Sequence, residues 1–563
     1  MNTKKALTML ALLPIVTMVS SCESNTPSLD NQRKFRDQPE TITLSQVIRN
    51  GEKQGYPAPS TGDTRVFVVP VQFTDYPAEE VGKYYNSETK DKKAYKHTDS
   101  TATGRGAELA REDIRKVFFG EPEETMWHSL SSYYKSSSYG KLNFNGLVAP
   151  WFDVYTNAFT MKPVSAKEFA ENSTAAALAQ NILAYYSDDQ MKKFAIFKDE
   201  DGKQMFNSGT EFLKYFDSNN DGCFDCIEMV YSAPYYATYT NDKGVDVAID
   251  NDKFWAYCGG TTTEGDVNKP RLSKWAFQSY YTCFEGGVFD NGSWRPWTCE
   301  EISSGVAKVD GHTIIHETGH ALGLADYYDY DYKRNPIASV DMMAYNVGDH
   351  DSYSKSLLGW TNPYVVTGPT TITLNSFTDT GDCIMVPYKG YFKDNEKYGN
   401  TFYTEYLAIE YYTPTGVNVL DGKQAYAGSY PVCPTQAGIK VYHVDSRLGL
   451  YDYSGSSSNG KFVGYTETIL NTTSNQLLTT GNSNTGTRTV QKEDGSYNWL
   501  IEYLSKDGKS VSNVANDNMF HEGDSFGYDT YKDYTFNSGK KFGFKFTIDS
   551  MSEDSVTLTF LNA

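Results

Sequence analysis

Residues 312–326 read His312-Thr-Ile-Ile-His316-Glu317-Thr-Gly-His320-Ala-Leu-Gly323-Leu-Ala-Asp326, with two histidines four positions apart and a glutamate beside the first. On an α-helix residues at that spacing share a face, so both imidazoles can address one metal ion while Glu317 stands next to it. Ile314, Ile315, Ala321, Leu322 and Leu324 make the segment apolar, as a helix buried in a mixed α/β domain should be. Histidines buried there without partners would be costly, which favours a metal over a solvated surface helix. A catalytic zinc takes three protein ligands and keeps a fourth position open. Gly323 can end the helix in a tight turn that folds the chain back, making Asp326 the leading third ligand, with His350, Asp329 and Glu301 as alternatives. Downstream, Asp341-Met-Met343-Ala-Tyr345 has the pattern of a methionine turn: Met343 as an apolar floor under the ligands, Tyr345 as a hydrogen-bond donor to an oxyanion. Glu317 is the expected general base of a metal-assisted amide hydrolysis.

The stretch His316 to Asp329 resembles the zinc motif of the immune inhibitor A family of bacterial secreted metallopeptidases, which are similar to metzincins. Further segments fit that family in order: Val66 to Asp75 as an opening strand, Ser132 to Leu142 as a helix ending in a Ser-x-Gly-Lys-Leu turn, and Asp217 to Tyr231 as an acidic loop entering a strand. Ser339 to Trp360 follows its methionine turn, and Tyr406 to Tyr411 and Gly438 to Asp445 resemble strands of its C-terminal β domain. The resemblance covers roughly residues 65 to 560 and implies a zinc endopeptidase. Ala325 stands where that family suggests proline and Val340 where it suggests tryptophan, departures that leave the metal chemistry untouched and bear on loop shape and substrate preference.

Asp217-Ser-Asn219-Asn-Asp221-Gly222-Cys223-Phe-Asp225-Cys-Ile-Glu228 matches a twelve-position calcium loop. Asp217, Asn219, Asp221, the Cys223 carbonyl, Asp225 and Glu228 are the candidate oxygen donors, with Gly222 at the sharp turn. The apolar run that follows reads as a strand rather than a second EF-hand helix. The bland alternative is an acidic, solvated turn.

Lys4 and Lys5 precede an apolar run ending in Val19-Ser-Ser-Cys22, the pattern of a bacterial lipoprotein signal peptide. The run is short of the ~20 residues of a membrane span. The expected mature protein is an exported lipoprotein, acylated on Cys22 and anchored to the cell envelope at the outer membrane or cell surface. Residues 22–61 are polar and read as a stalk or pro-segment. The net charge of −20 offers no basic stripe for phosphates and argues against a nucleic-acid partner, leaving protein or peptide as substrate and a monomer as the expected state. Of eight cysteines, Cys22 is claimed by the lipid, and Cys258, Cys283 and Cys299 are the first candidates for bridging.

The expected fold class is α+β: a metzincin-like mixed α/β zinc peptidase domain over residues 62–365, followed by an all-β sandwich over 366–563. Strands are expected at 66–73 and 274–281, helices around 130–134 and 166–186, and C-terminal strands at 371–377, 401–412, 438–444, 542–548 and 555–561. His443, inside a strand pattern, reads as a hydrogen-bonded core histidine. Two other functions stay open: a non-catalytic binding lipoprotein on a peptidase fold, and a zinc hydrolase acting on something other than peptide.

Overall fold

The run Val66 to Val71 is buried throughout, as expected of a parallel strand covered on both faces. In the computed structural model it forms the middle of β1 (Gly62–Gln72). The structure describes residues 25–37, 56–84, 102–188, 193–249, 253–261, 265–330, 334–394, 401–422, 426, 430, 433–452, 461–466, 475–479, 490–491, 497–532 and 534–563. The signal peptide and Cys22 lie outside them. Among the described residues no helix is long and apolar enough to cross a membrane.

β1 pairs in parallel with β2 (Leu142–Val148) on one side and β3 (Cys223–Tyr231) on the other. The edge strand β4 (Tyr257–Gly260) runs antiparallel to β5 (Arg271–Ser279), which continues the parallel sheet beside β3. Five helices order this layer: α1 (Ala107–Phe119), α2 (Leu130–Ser137), α3 (Ala166–Asn172), α4 (Ala175–Ser187) and α5 (Gly209–Tyr215). The expected single helix over 166–186 is two, because Thr174 caps a new one by accepting the Ala177 N–H. On one sheet face Phe67 packs edge-on against Tyr186 of α4 and Phe212 of α5, each 4.9 Å away. On the other lies α6 (His312–Ala321), to whose Ile315 carbonyl Tyr134 of α2 donates a 2.7 Å hydrogen bond.

The C-terminal half is β-rich, and its strands fall within a few residues of the expected spans. β6 (Tyr364–Val366) and β7 (Thr370–Asn375) come first, then β8 (Cys383–Pro387), β9 (Glu405–Tyr412), β10 (Gly438–Asp445), β11 (Ile501–Tyr503), β12 (Ser525–Phe526), β13 (Phe544–Met551) and β14 (Ser555–Asn562). The order β6-β8-β9-β10-β11 makes one sheet, and β7-β14-β13-β12 a second. Leu407, Ile409 and Val441 of the first share a core with Phe546, Leu558 and Phe560 of the second, so the two form a sandwich. Alternate residues of the first sheet, Tyr406, Ala408, Tyr442 and Val444, belong instead to the core of the N-terminal layer. Strand pleating therefore lets one sheet serve two cores.

Part of the stretch read as a stalk or pro-segment is docked on the sheet. Gln32–Lys34 forms a strand antiparallel to β6, and Phe35 is fully buried, its ring stacked on Phe402. A polar composition hid one large apolar anchor and an available sheet edge. The cysteine expectation is also corrected: all seven described cysteines, including Cys258, Cys283 and Cys299, are free. Cys258 lies on β4, Cys299 begins a helix and bonds the Tyr84 carbonyl, and Cys283 is buried elsewhere. His443 is a core histidine as read, held between Glu405 and Tyr534.

Candidate metal centre and active site

α6 carries His316 and His320 on one face, and Gly323, at φ +101°, turns the chain as its position in the sequence predicts. Asp326 Oδ1 then lies 3.2 Å from Nε2 of His316 and 3.2 Å from Nε2 of His320. Among the described residues these three side chains are the one group of His, Cys, Asp or Glu whose ligand atoms gather within 4.8 Å. Both imidazoles are oriented through their other nitrogen: His316 Nδ1 is 2.8 Å from the Met342 carbonyl, and His320 Nδ1 is 2.9 Å from the Leu324 carbonyl. An N–H donated to a carbonyl fixes the tautomer that leaves Nε2 as a donor to metal. The Gly323 turn thus has two effects, returning Asp326 to the histidines and aiming the Leu324 carbonyl at His320.

The rival ligands are engaged elsewhere. Glu301 caps its own helix at Thr298 and forms a two-pronged ion pair with Arg295, which pulls its carboxyl down to about 2. His350 is buried among Tyr133, Tyr134 and Trp360, and Asp329 is outside the triad.

Burial works to lower both histidines, yet Asp326 wins: His316 is raised, and His320 stands at about 9. Asp326 itself, although burial would raise it, is held well below the usual carboxylate range by the two imidazoles. Such a field favours positive charge where the three donors meet. Two imidazoles and one carboxylate also form a donor set that suits zinc. Burial pushes the Glu317 carboxyl up, against the pull of His320 and His316, and the backbone N–H of Cys258 on β4 is directed at it.

The methionine turn is built as its sequence suggests. Asp341 accepts the Met343 N–H at 2.6 Å and the Asp351 N–H at 2.6 Å, closing the turn. Met343 is buried against Gly319 of α6, where an added Cβ would fall 2.4 Å from its sulfur. Gly319, between the two histidines, is what lets the floor approach the helix. Behind the turn, Lys355 is fully buried and pairs with Asp349 at 2.6 Å. Tyr345 lines a cavity of about 450 Å³ shared with His316 and Glu317. Its ring lies 5.1 Å from Tyr328, which in turn stacks on His316.

Of the six candidate donors of the calcium-loop pattern, the last stands apart from the loop. Asp217 accepts the N–H groups of Asp221 and Gly222, Asn219 that of Asp221, and Asp221 that of Cys223, so these oxygens serve the loop's own backbone. Asp225 accepts from Ser218 and the Arg65 N–H, and its burial raises the carboxyl to about 7. Glu228 leaves the loop altogether. β3 carries it under α6, fully buried, where it accepts from Gln278 at 2.9 Å and Thr318 at 3.2 Å. The twelve-position pattern presumes a helix after the loop that swings its last residue back, whereas a strand carries that residue away along the sheet.

Sequence reading missed three residues around the centre. Tyr330 donates to the second oxygen of Asp326, and Tyr328 sits between His316 and Tyr345; the tyrosine cluster after Asp326 was the available signal. Glu285, on the cavity wall, has no local signature. Neither a family model nor a curated protein matches this chain.

Proposed function

We propose that the chain is a zinc-dependent endopeptidase of metzincin-like design, exported and tethered to the bacterial envelope through a lipid on Cys22. One observation carries the reading: Nε2 of His316, Nε2 of His320 and Oδ1 of Asp326 converge beside the buried Glu317, and His316 and Glu317 line a cavity. Zinc held by these atoms would supply Lewis acidity, polarising a carbonyl and acidifying water at neutral pH.

The chain's own groups account for the rest. Glu317, less acidic than a solvated glutamate, is suited to accept a proton from the attacking water and pass it to the leaving amine. The Met342 and Leu324 carbonyls hold the imidazoles in register, and Tyr330 holds Asp326. Tyr345 is the donor proposed for the oxyanion, its ring braced by Tyr328.

The test compares the full chain with Glu317→Ala for zinc content and cleavage of denatured casein. Both are expected to hold zinc, with the variant slower by about 10³-fold or more. Zinc without cleavage in the wild type would favour a binding lipoprotein or a hydrolase of non-peptide substrates, and absence of zinc from both would overturn the reading. Cys22→Ser is expected to move the activity from the membrane to the soluble fraction.

A further inference from the structure

The cavity beside His316 and Glu317 is walled by rings, among them Tyr235, Trp255, Tyr328, Tyr345, Tyr426 and Tyr430. Its described lining holds no lysine or arginine, and its carboxylates are Glu317 and Glu285. Tyr235 donates to Glu285 Oε1 at 2.6 Å and Thr313 donates to Oε2 at 2.5 Å. Each oxygen keeps capacity for another donor. Asp310, bonded by the Tyr426 hydroxyl at 2.6 Å and the Gly286 N–H at 2.7 Å, adds negative charge near the Tyr426 wall. Thr313 precedes Glu317 by one turn of α6, about 6 Å along the axis. Thr313 thus holds the Glu285 carboxylate in the same cavity as Glu317, set off from it along α6.

We propose that this cavity is the specificity pocket of the peptidase and takes the side chain of a lysine or arginine flanking the scissile bond, with Glu285 pairing with the cation and the aromatic rings enclosing its stem. The inference rests on the peptidase reading above. Aromatic faces attract organic cations, and a carboxylate among them supplies the counter-charge. A large apolar side chain in the same place would seal Glu285 away without a charged partner, which is unfavourable. Burial raises the Glu285 carboxyl to about 7, against the hydrogen bonds from Thr313 and Tyr235; a cation at its side would restore full ionisation.

The test uses the full, zinc-loaded chain in two assays. In the first, cleavage sites in a denatured protein mixture are mapped by mass spectrometry for the wild type and Glu285→Gln, with Glu317→Ala as the blank. Lysine or arginine is expected at one fixed position beside the cut, and Glu285→Gln is expected to lower kcat/KM on such sites roughly tenfold or more while sparing neutral ones. In the second, n-butylguanidine binding to the Glu317→Ala protein is followed by isothermal titration calorimetry, and adding Glu285→Gln is expected to weaken it by a similar factor. Trp255→Ala, at the 59% exposed rim, tests the same cage without touching the core and is also expected to weaken binding. Cleavage without a basic preference, or a preference and binding indifferent to Glu285, overturns the pocket and leaves the peptidase reading standing. Glu285-dependent binding beside a wild type that cuts nothing overturns the peptidase reading and leaves a cation-binding cavity without a specificity role. Neither cleavage nor binding overturns both.

Discussion

Two segments rich in candidate metal ligands approach the same sheet and end differently. In residues 312–326, three side-chain atoms from a helix and its returning turn point at one place, while the remaining polar atoms of the histidines are taken by backbone carbonyls. In residues 217–228 the loop's carboxylates point at the loop's own N–H groups, and the last acid is carried off by a strand into the space beneath the first site. The contrast teaches that the same residue types can either converge on one point or serve the backbone around them, according to what else meets the backbone's hydrogen-bonding needs. Where backbone amides go short, carboxylates are spent on them. The two regions also touch: Glu228 of the second hydrogen-bonds Thr318 between the two histidines of the first.

The most damaging way to break the contrast is Asp326→Ala. It should lower zinc affinity by about 100-fold or more, measured by competition with a chromogenic chelator, because a direct ligand matters at least as much as an orienting partner. Asp221→Ala should leave the zinc content unchanged. Equal loss in both would mean that the two regions bind metal together.

A second effect, on stability rather than on metal affinity, separates them by pH. Asp225 is raised from 3.8 to about 7 in the folded chain, so the folded state binds the extra proton between those values. Stability therefore declines as pH rises from about 4 to 7, by up to about 4 kcal/mol for this group. Asp225→Asn should remove that decline, seen in denaturant melts at pH 5 and pH 8, with no change on adding calcium or a calcium chelator. A calcium-dependent rise in wild-type stability that Asp225→Asn abolishes would restore the loop as a metal site.

The smallest expected effect probes the floor of the centre. Gly319→Ala places a methyl group against the Met343 sulfur and should cost about 1–3 kcal/mol by overpacking, read from thermal melting. Met343→Leu in the same background should recover part of it. A neutral Gly319→Ala would mean that the methionine does not bear on the helix.

Much of the centre was legible because its information is local. A four-residue spacing on a helix, a glycine at the turn and an aspartate three residues on lie within 15 consecutive positions, and φ +101° at Gly323 is what that glycine was read to permit. The C-terminal strands were legible for the same reason, as alternation with period two needs no partner to be seen. The acidic loop and the strand after it were legible as patterns, whereas the place to which that strand carries Glu228, under Thr318, was not.

By itself, then, the sequence determined the convergence of His316, His320 and Asp326, the glutamate beside them and the β-rich character of the C-terminal half, all consequences of short-range stereochemistry. Only the tertiary structure decided that Glu228 lies under the helix, that Gln32–Lys34 pairs with β6, that one sheet serves two cores, and that Glu285 meets Tyr235 and Thr313 in the cavity beside Glu317. Those facts join residues separated by 28 to more than 300 positions, and their physical cause is packing, which chooses among chain segments by the shape and polarity of whole surfaces rather than by spacing along the chain.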